Sequence, residues 1–269
     1  MNSLMEMFSY AFMIRALVAG ILISAAAALV GVPLVLRKNS MLGDGLSHVA
    51  FSAFAIASVF GLMPLSFAIP VVILVSFLVL KMGRDAKING DSAIALMSAS
   101  ALAIGTFVVS LSGTNVDINS YLFGSILSID WAEVVLSGVL FIVVLLAYLI
   151  LRNRIFAITF DERFAKSIGL NTELYNIMFA ILCSVVVVVG MRLVGALLIS
   201  SIIVFPVLSA QALHKSFNKV ILSSVFLSVL SFVLGLVFSY LLATPTGATI
   251  VIVNLGILMI LKISERVLR

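Results

Sequence analysis

Residues 14–55 read IRALVAGILISAAAALVGVPLVLRKNSMLGDGLSHVAFSAFA, so that two apolar runs flank one short basic corner. Each run has about 20 residues, the length that an α-helix needs to cross the hydrocarbon core of a bilayer. Gly20, Ser24 and Ala28 recur at a spacing of four in the first run. Small residues at that spacing let membrane helices approach closely. The stretch therefore predicts two membrane-spanning helices in a tightly packed bundle.

The composition of the whole chain has the same character. Of its 269 residues, 63% are apolar and only 10% are charged, and the mean hydropathy is +1.33. These values exclude a soluble globular domain. The single cysteine, Cys183, lies in an apolar run and excludes an intrachain disulfide. The first ten residues lack the basic region of a cleavable signal peptide, so we expect the first span to act as its own insertion signal.

Apolar runs of spanning length recur along the chain and predict an all-α, polytopic membrane protein with about nine transmembrane helices. A count of eight, or of ten with an N-terminal interfacial helix, also fits the pattern. The nine predicted spans are about 14–36, 43–60, 65–81, 92–112, 133–151, 174–190, 194–213, 219–242 and 247–262.

The basic residues predict an orientation for these spans. All but two of the 16 Lys and Arg residues follow odd-numbered spans, the exceptions being Arg15 and Arg192. Because basic residues concentrate in cytoplasmic loops, the N-terminus is predicted outside and the C-terminus in the cytoplasm. The basic residues lie at the ends of spans rather than in one patch, so the net charge of +5 does not indicate nucleic-acid binding.

Two connections between spans are unusual. Residues 113–132, on the outer side, are too polar to span, although their segment YLFGSIL is apolar enough to lie against the membrane or re-enter it. Residues 152–171 form the longest cytoplasmic loop, in which Phe160, Phe164 and Ile168 recur at a spacing of four. This spacing predicts a short amphipathic helix, which is either a docking surface for another protein or an interfacial helix on lipid headgroups.

Asp44 and His48 carry the most informative chemistry in the sequence. Residues four apart are neighbours on one face of a helix, and Ser52 extends the same stripe by one turn. Ionisable groups inside a membrane usually face a cavity or a partner, and a carboxylate beside an imidazole suits a divalent first-row metal ion. A structural pair at the start of a helix, where the dipole stabilises a carboxylate, and a proton relay fit the same two residues.

The remaining polar residues predict little chemistry. Asp117, Asp130 and Glu133 lie near the outer mouth, where acids can attract cations or face a partner, although most exposed acids do neither. His214, beside Lys215, marks a cytoplasmic boundary. The phosphate-binding pattern G-x-x-x-x-G-K-[ST] does not occur, and no nucleophile constellation is evident. We therefore expect no enzymatic activity and no ATPase site in this chain, so that any energy from ATP comes from another subunit.

The stretch LRKNSMLGDGLSHVAFSAFA resembles the signature region of the zinc/manganese permease family of ATP-binding-cassette (ABC) importers. The resemblance covers nearly the whole chain. Four further stretches agree with the family in order: YLFGSIL at 121–127, FDERFAKSIGLN at 160–171, VVGMRLVGALLISSIIVFPVLSAQAL at 188–213 and TPTGATIVIV at 244–253.

The resemblance implies a fold and a set of partners. It implies a single transmembrane permease domain over residues 1–269, with the helical bundle of type II ABC importers, in the bacterial cytoplasmic (plasma) membrane. It also implies a homodimer, a cytoplasmic ATP-binding subunit and an extracellular or periplasmic metal-binding protein. The chain would hold no cofactor of its own, because the metal is cargo and ATP binds the partner subunit.

The resemblance also implies site residues. The family's intramembrane aspartate and histidine match Asp44 and His48, which are expected to be metal-path or gate residues. The positions that match the family's ATPase-coupling loop are Phe160, Asp161, Glu162, Arg163, Ala165, Gly169 and Leu170.

The resemblance implies import of a divalent metal ion. We expect zinc first, because histidine favours it, manganese next, and iron as a further option. The main alternative is an ion- or proton-coupled secondary metal transporter that works without an ATPase subunit and uses Asp44 and His48 as a proton relay. An importer of cobalamin or iron chelates would not need the acid–imidazole pair, and an intramembrane enzyme is the option that the sequence supports least.

Overall fold

The structure, a computed structural model, describes residues 2–85, 89–113, 124 and 129–267. All regular secondary structure in these residues is helical, which confirms the predicted all-α class. The helices are α1 (Asn2–Ser9), α2 (Ala11–Leu36), α3 (Met41–Val59), α4 (Pro64–Asp85), α5 (Gly90–Ser112), α6 (Trp131–Phe160), α7 (Glu162–Ser167), α8 (Thr172–Val194), α9 (Ala196–Leu213), α10 (Phe217–Leu242) and α11 (Thr246–Val267).

A long helix lies at each of the nine predicted spans. Seven of the described helices, namely α2, α3, α5, α6, α8, α10 and α11, are long and apolar enough to cross a membrane. The other two, α4 and α9, contain shorter apolar stretches, Pro64–Leu80 and Leu198–Leu213. The count of nine spans and the orientation of the termini stay predictions.

The prediction that residues 152–171 form a loop is wrong for the first part of that range, because α6 continues through it to Phe160. The segment contains neither proline nor glycine, so nothing in it ends the helix. Phe156 and Phe160 also pack against Phe217 at the start of α10, with ring centroids 5.2 and 5.9 Å from that of Phe217. The charged residues after position 151 therefore mark where the helix leaves the apolar layer rather than where it ends.

The outer connection was predicted to lie against the membrane or re-enter it, and most of it falls outside the described residues. Of YLFGSIL only Gly124 is described, and Asp117 is not. Gly124 has a φ of +77°, and a Cβ atom there would lie 2.5 Å from the backbone carbon of Val194. The connection therefore lies against the backbone where α8 ends and α9 begins. A single residue, Gly195, separates these two helices.

The core is built around α2, which packs against α6, α8, α9 and α10. Its small residues permit this, as the spacing predicted: Ser24 and Ala28 are fully buried. A Cβ atom on Gly31 would lie 2.3 Å from the carbonyl oxygen of Ile203 in α9. Because these helix backbones touch, dispersion attraction between them holds the bundle together in lipid, where no hydrophobic force acts between helices.

Two ion pairs join helix ends on opposite sides of this bundle. Glu162 of α7 binds Arg37 at the end of α2, and Glu133 in the first turn of α6 binds Arg192 in the last turn of α8. The predicted topology puts the first two residues on one side of the membrane and the last two on the other. The contacts are thus consistent with the alternation of loops that the basic residues predicted.

Candidate functional site

A rigid corner leads from α2 into α3. Arg37 caps α2, and Lys38 has a left-handed φ of +59°. The amide of Lys38 donates to the carbonyl of Val35 at 3.1 Å, and the amide of Asn39 donates to that of Leu34 at 2.9 Å. These two bonds form a Schellman motif, which satisfies the last carbonyls of the helix and fixes the direction of the chain. The corner therefore sets where α3 begins and where its first side chains point.

Asp44 and His48 lie in the first two turns of α3, as their spacing predicted. The carboxylate oxygen Oδ2 of Asp44 is 3.7 Å from Nε2 of His48. The Asp44 side chain is 45% exposed and that of His48 is 26% exposed. The structure thus brings together one oxygen donor and one nitrogen donor on a partly open face of a helix.

His48 has one ring nitrogen without a partner. Its Nδ1 is buried and accepts or donates no hydrogen bond within the described part of the chain. An unpartnered buried nitrogen is costly unless another group binds it. Within the described residues, Nδ1 is thus an unpaired buried polar atom, while Nε2 is the ring nitrogen that faces Asp44.

Close contacts hold α3 in place around the pair. A Cβ atom on Gly45 would lie 2.5 Å from Cγ2 of Ile94 in α5, and one on Gly43 would lie 3.1 Å from Cδ1 of Ile203 in α9. One turn beyond His48, the Ser52 hydroxyl donates to the carbonyl of Ala101 in α5. The glycines on either side of Asp44 thus serve close packing with two different helices.

Two donors do not make a closed metal site. Among the described residues, no group of three or more His, Cys, Asp or Glu side chains is arranged to hold a metal ion. Structural zinc sites have four protein ligands and catalytic ones have three.

The amphipathic helix predicted in residues 152–171 is present only in part, as α7, because a break at Asp161 leaves Phe160 at the end of α6 and Ile168 caps α7. Asp161 has an extended backbone, and its carboxylate accepts from the amide of Phe164 at 2.9 Å, which caps α7. At the other end, Gly169 has a φ of +82°, and its amide and that of Leu170 bond back into the last turn. A cap at each end gives this six-residue helix a defined shape.

Some residues in and next to α7 are buried against the bundle, and others are exposed. Ala165 is fully buried, and Glu162 and Leu170 are half-buried. Asp161, Arg163 and Gly169 are exposed, and the apolar residues Phe160, Phe164 and Ile168 are each more than half exposed. The stripe seen in the sequence therefore lies on the outside of the bundle, beside charged residues.

Sequence reasoning missed the partners of Glu162. The sequence marks Arg37 as a basic residue after the first span, within the stretch that resembles the signature region, and Asn176 lies in none of the quoted stretches. Both donate hydrogen bonds to the Glu162 carboxylate, from Arg37 Nη2 at 2.8 Å and from Asn176 Nδ2 at 3.1 Å. Arg37 lies 125 residues from Glu162 along the chain, so no local spacing could have indicated the contact.

Asp130 and Glu133, for which the sequence indicated no role, form a capping box at the start of α6. The amide of Glu133 donates to Asp130 Oδ1 at 2.8 Å, and that of Asp130 donates to Glu133 Oε2 at 3.3 Å. Glu133 also pairs with Arg192. The pattern Asp-x-x-Glu before an apolar run is a signal for this cap, and it was available in the sequence.

Comparisons with known proteins agree over nearly the full length. The model of a family described as the ABC 3 transport family matches residues 9–265. The manganese import system permease protein ScaB of Streptococcus gordonii is 30% identical over 243 residues, which cover 90% of this chain and 87% of ScaB. A protein of Haemophilus influenzae described as a probable iron transport system membrane protein is 30% identical over 251 residues, covering 93% of this chain and 89% of that protein.

A solved structure has the same fold. PsaBC from Streptococcus pneumoniae, in complex with Fab, superposes with a TM-score of 0.86 at 26% sequence identity. The superposition covers 97% of this chain and 94% of the matched chain. The arrangement of helices described above is therefore shared along almost its entire length.

Proposed function

Since the chain belongs to the ABC 3 transport family, we propose that it is the membrane-spanning permease subunit of an ATP-binding-cassette importer for a divalent metal ion. The family match confirms the resemblance seen in the sequence. With seven helices long and apolar enough to span, it also confirms a multi-pass protein of the bacterial plasma membrane. The buried apolar residues from Met7 to Ile250 form one cluster, which supports a single permease domain.

The pair of Asp44 and His48 carries the proposal. A carboxylate and an imidazole 3.7 Å apart within a membrane helix are expensive to keep there without a function. Divalent first-row metal ions accept both oxygen and imidazole nitrogen as ligands. We assign Asp44 and His48 as transient ligands on the metal path, with too few donors to hold the ion permanently.

The cargo is manganese or zinc. Histidine led us to expect zinc first, and oxygen donors suit manganese equally well. A relative that imports manganese, ScaB, is 30% identical to this chain. We therefore propose manganese as the first ion to test and zinc as the second, because an oxygen–nitrogen pair alone does not separate them.

The exposed stripe of α7 is the proposed docking surface for an ATP-binding subunit. Phe164 and Ile168 lie open beside the charged residues Asp161 and Arg163. An apolar centre with a charged rim is the usual composition of a specific protein interface. Phe160, Ala165, Gly169 and Leu170 contribute by shaping this surface, and ATP is hydrolysed on the partner.

We further propose that the permease works as a homodimer and receives its ion from an extracellular or periplasmic metal-binding protein. In a single chain nearly half of the Asp44 side chain is exposed. An ionisable group at membrane depth does not face lipid without a large penalty. A second copy that covers the open side of Asp44 and His48 would enclose the metal path between two subunits.

Uptake of radioactive manganese and zinc tests the proposal. Cells express the permease with its ATP-binding subunit and binding protein, and the control carries an ATP-binding subunit that cannot hydrolyse ATP. We expect manganese uptake that depends on hydrolysis. Uptake of zinc alone would change the cargo and keep the importer. Equal uptake with active and inactive ATP-binding subunits would overturn the importer in favour of secondary transport.

A further inference from the structure

We infer that Arg37 and Asn176 are positioning residues that transmit movement of α7 to the helix that carries Asp44 and His48. The inference rests on the proposed function, since it requires that α7 is moved by an ATP-binding subunit. It concerns residues outside the metal path and outside the exposed docking surface. Arg37 lies within the stretch that resembles the family's signature region, Asn176 lies in none of the quoted stretches, and the role inferred for both rests on their contacts.

Arg37, Glu162 and Asn176 form a closed triangle of hydrogen bonds between three helices. Arg37 Nη2 donates to Glu162 Oε2 at 2.8 Å, and Arg37 Nη1 donates to Asn176 Oδ1 at 2.8 Å. Asn176 Nδ2 closes the triangle by donating to Glu162 Oε1 at 3.1 Å. Each side chain bonds both of the others, so the end of α2, the start of α7 and the first turns of α8 are connected by one unit.

The triangle is partly sheltered from solvent. The side chains of Arg37 and Glu162 are 20% and 32% exposed, and Asn176 is 6% exposed. Charged hydrogen bonds in such surroundings are stronger than exposed ion pairs, and they tolerate little misalignment because a buried partner left alone is costly. By contrast, the second ion pair of Glu162, with Lys166, is 3.8 Å long and involves a lysine that is mostly exposed.

The corner after Arg37 connects the triangle to the metal path. The Schellman bonds of Lys38 and Asn39 fix the chain as it leaves α2, and the amide of Leu42 bonds to the carbonyl of Asn39 at 3.0 Å. Asp44 follows two residues later in α3. The Arg37 side chain thus joins the triangle to this corner, and the backbone hydrogen bonds of the corner lead on to the first turn of α3, which is the route of transmission that we infer.

An adjoining cavity gives this connection room to move. It has a volume of about 360 Å³, and its lining includes Arg37, Glu162 and Asn176 together with Leu42 and Ile94. Ile94 is the residue against which Gly45 packs. The triangle and the start of α3 thus border one open space, which leaves room for the movement that the inference requires.

Metal transported per ATP hydrolysed is the quantity that tests the inference. The full permease is purified with its ATP-binding subunit and reconstituted in liposomes with the binding protein and manganese. The variants are R37K, E162Q and N176L. Lysine keeps the charge of Arg37 but cannot bond two partners through a planar fork. We expect R37K and N176L to keep ATP hydrolysis, and all three variants to lower the ratio of manganese to ATP by about tenfold, the size of one charged hydrogen bond.

Two further variants separate transmission from general stability. K166Q removes only the exposed pair of Glu162 and is expected to keep the wild-type ratio. The charge swap, which combines R37E with E162R, is expected to recover most of the wild-type ratio of manganese to ATP. The reason is that the side-chain amide of Asn176 can donate a hydrogen bond to a carboxylate and accept one from a guanidinium, whichever position holds them. Equal ratios of manganese to ATP in wild type, R37K and E162Q overturn the inference. The inference is also overturned if the charge swap lowers this ratio as much as the single variants do.

The failure of the inference is distinguishable from that of the proposed function. If wild-type liposomes show no ATP-dependent manganese or zinc uptake, the importer itself is wrong. If wild type transports and the triangle variants transport as efficiently per ATP, only the inference is wrong. If E162Q no longer assembles with the ATP-binding subunit, Glu162 serves docking and the transmission role is also wrong.

Discussion

Gly105 of α5 lies so close to Ser52 of α3 that a Cβ atom on the glycine would stand 2.6 Å from the Ser52 hydroxyl oxygen. The same hydroxyl has one proton to donate and lies within hydrogen-bond distance of two carbonyls, that of Ala101 at 2.5 Å and that of His48 at 3.1 Å. The helix that carries Asp44 and His48 is thus in direct contact with α5 one turn beyond the pair. The position of the two donors depends on this contact as well as on the corner before α3.

The substitution G105A tests the packing of α3 against α5. The added methyl group would meet the backbone of Ser52, which cannot move aside as a flexible side chain can, and overpacking of this kind costs about 1–3 kcal/mol. We expect a lower midpoint of thermal unfolding in detergent and reduced metal uptake. The matched control is G256A in α11, where a Cβ atom meets nothing within 4 Å. Equal unfolding midpoints for the two variants would disprove the close contact.

The substitution F164A tests the docking surface on α7. Phe164 is 57% exposed in the single chain, and an aromatic residue at the centre of an interface is worth about 2 kcal/mol or more. We expect the affinity for the ATP-binding subunit to fall by at least about tenfold. F226A in α10 removes a phenylalanine that is 65% exposed on a spanning helix. If F226A weakened assembly as much as F164A does, the docking surface would lie elsewhere.

Gly169 gives a test of the shape of α7. Its φ of +82° is strained for a residue with a Cβ atom, while no neighbouring atom would obstruct a side chain. We expect G169A to weaken binding of the ATP-binding subunit by about fivefold, the effect of roughly 1 kcal/mol of backbone strain. Asparagine tolerates this conformation better, so G169N is expected to bind more tightly than G169A. The opposite order of affinities would show that the backbone at Gly169 does not shape the interface.

Local patterns in the sequence predicted the local features of the structure well. The spacing of Asp44 and His48 put both on one helix face, and their side chains are 3.7 Å apart. Phe160, Phe164 and Ile168 are all exposed, although the break at Asp161 means that they do not lie on one helix. The contact of Asp44 with His48 depends on residues within two turns of a helix, so spacing alone determines it.

Features that depend on contacts between distant residues could not be predicted. The bonds of Arg37 to Glu162 and Asn176 join positions 125 and 139 residues apart. The length of α6 was also underestimated, because hydropathy reports where the membrane ends, while the helix ends where backbone bonding stops at Asp161. Glycines such as Gly105 indicated close packing in general, but only the fold shows which residue each one meets.

Metal uptake by a variant that carries both Asp44→Asn and His48→Gln tests the central claim most directly. The control variant carries Asp91→Asn and His214→Gln, which change a first-turn carboxylate of the neighbouring α5 and the other histidine of the chain. Both are assembled with the ATP-binding subunit and the binding protein, and uptake of manganese and zinc is measured with ATP. We expect the first variant to lose at least about tenfold in uptake and the control to match wild type. Wild-type uptake by the Asp44 and His48 variant would contradict the claim that these two residues pass the metal ion through the membrane.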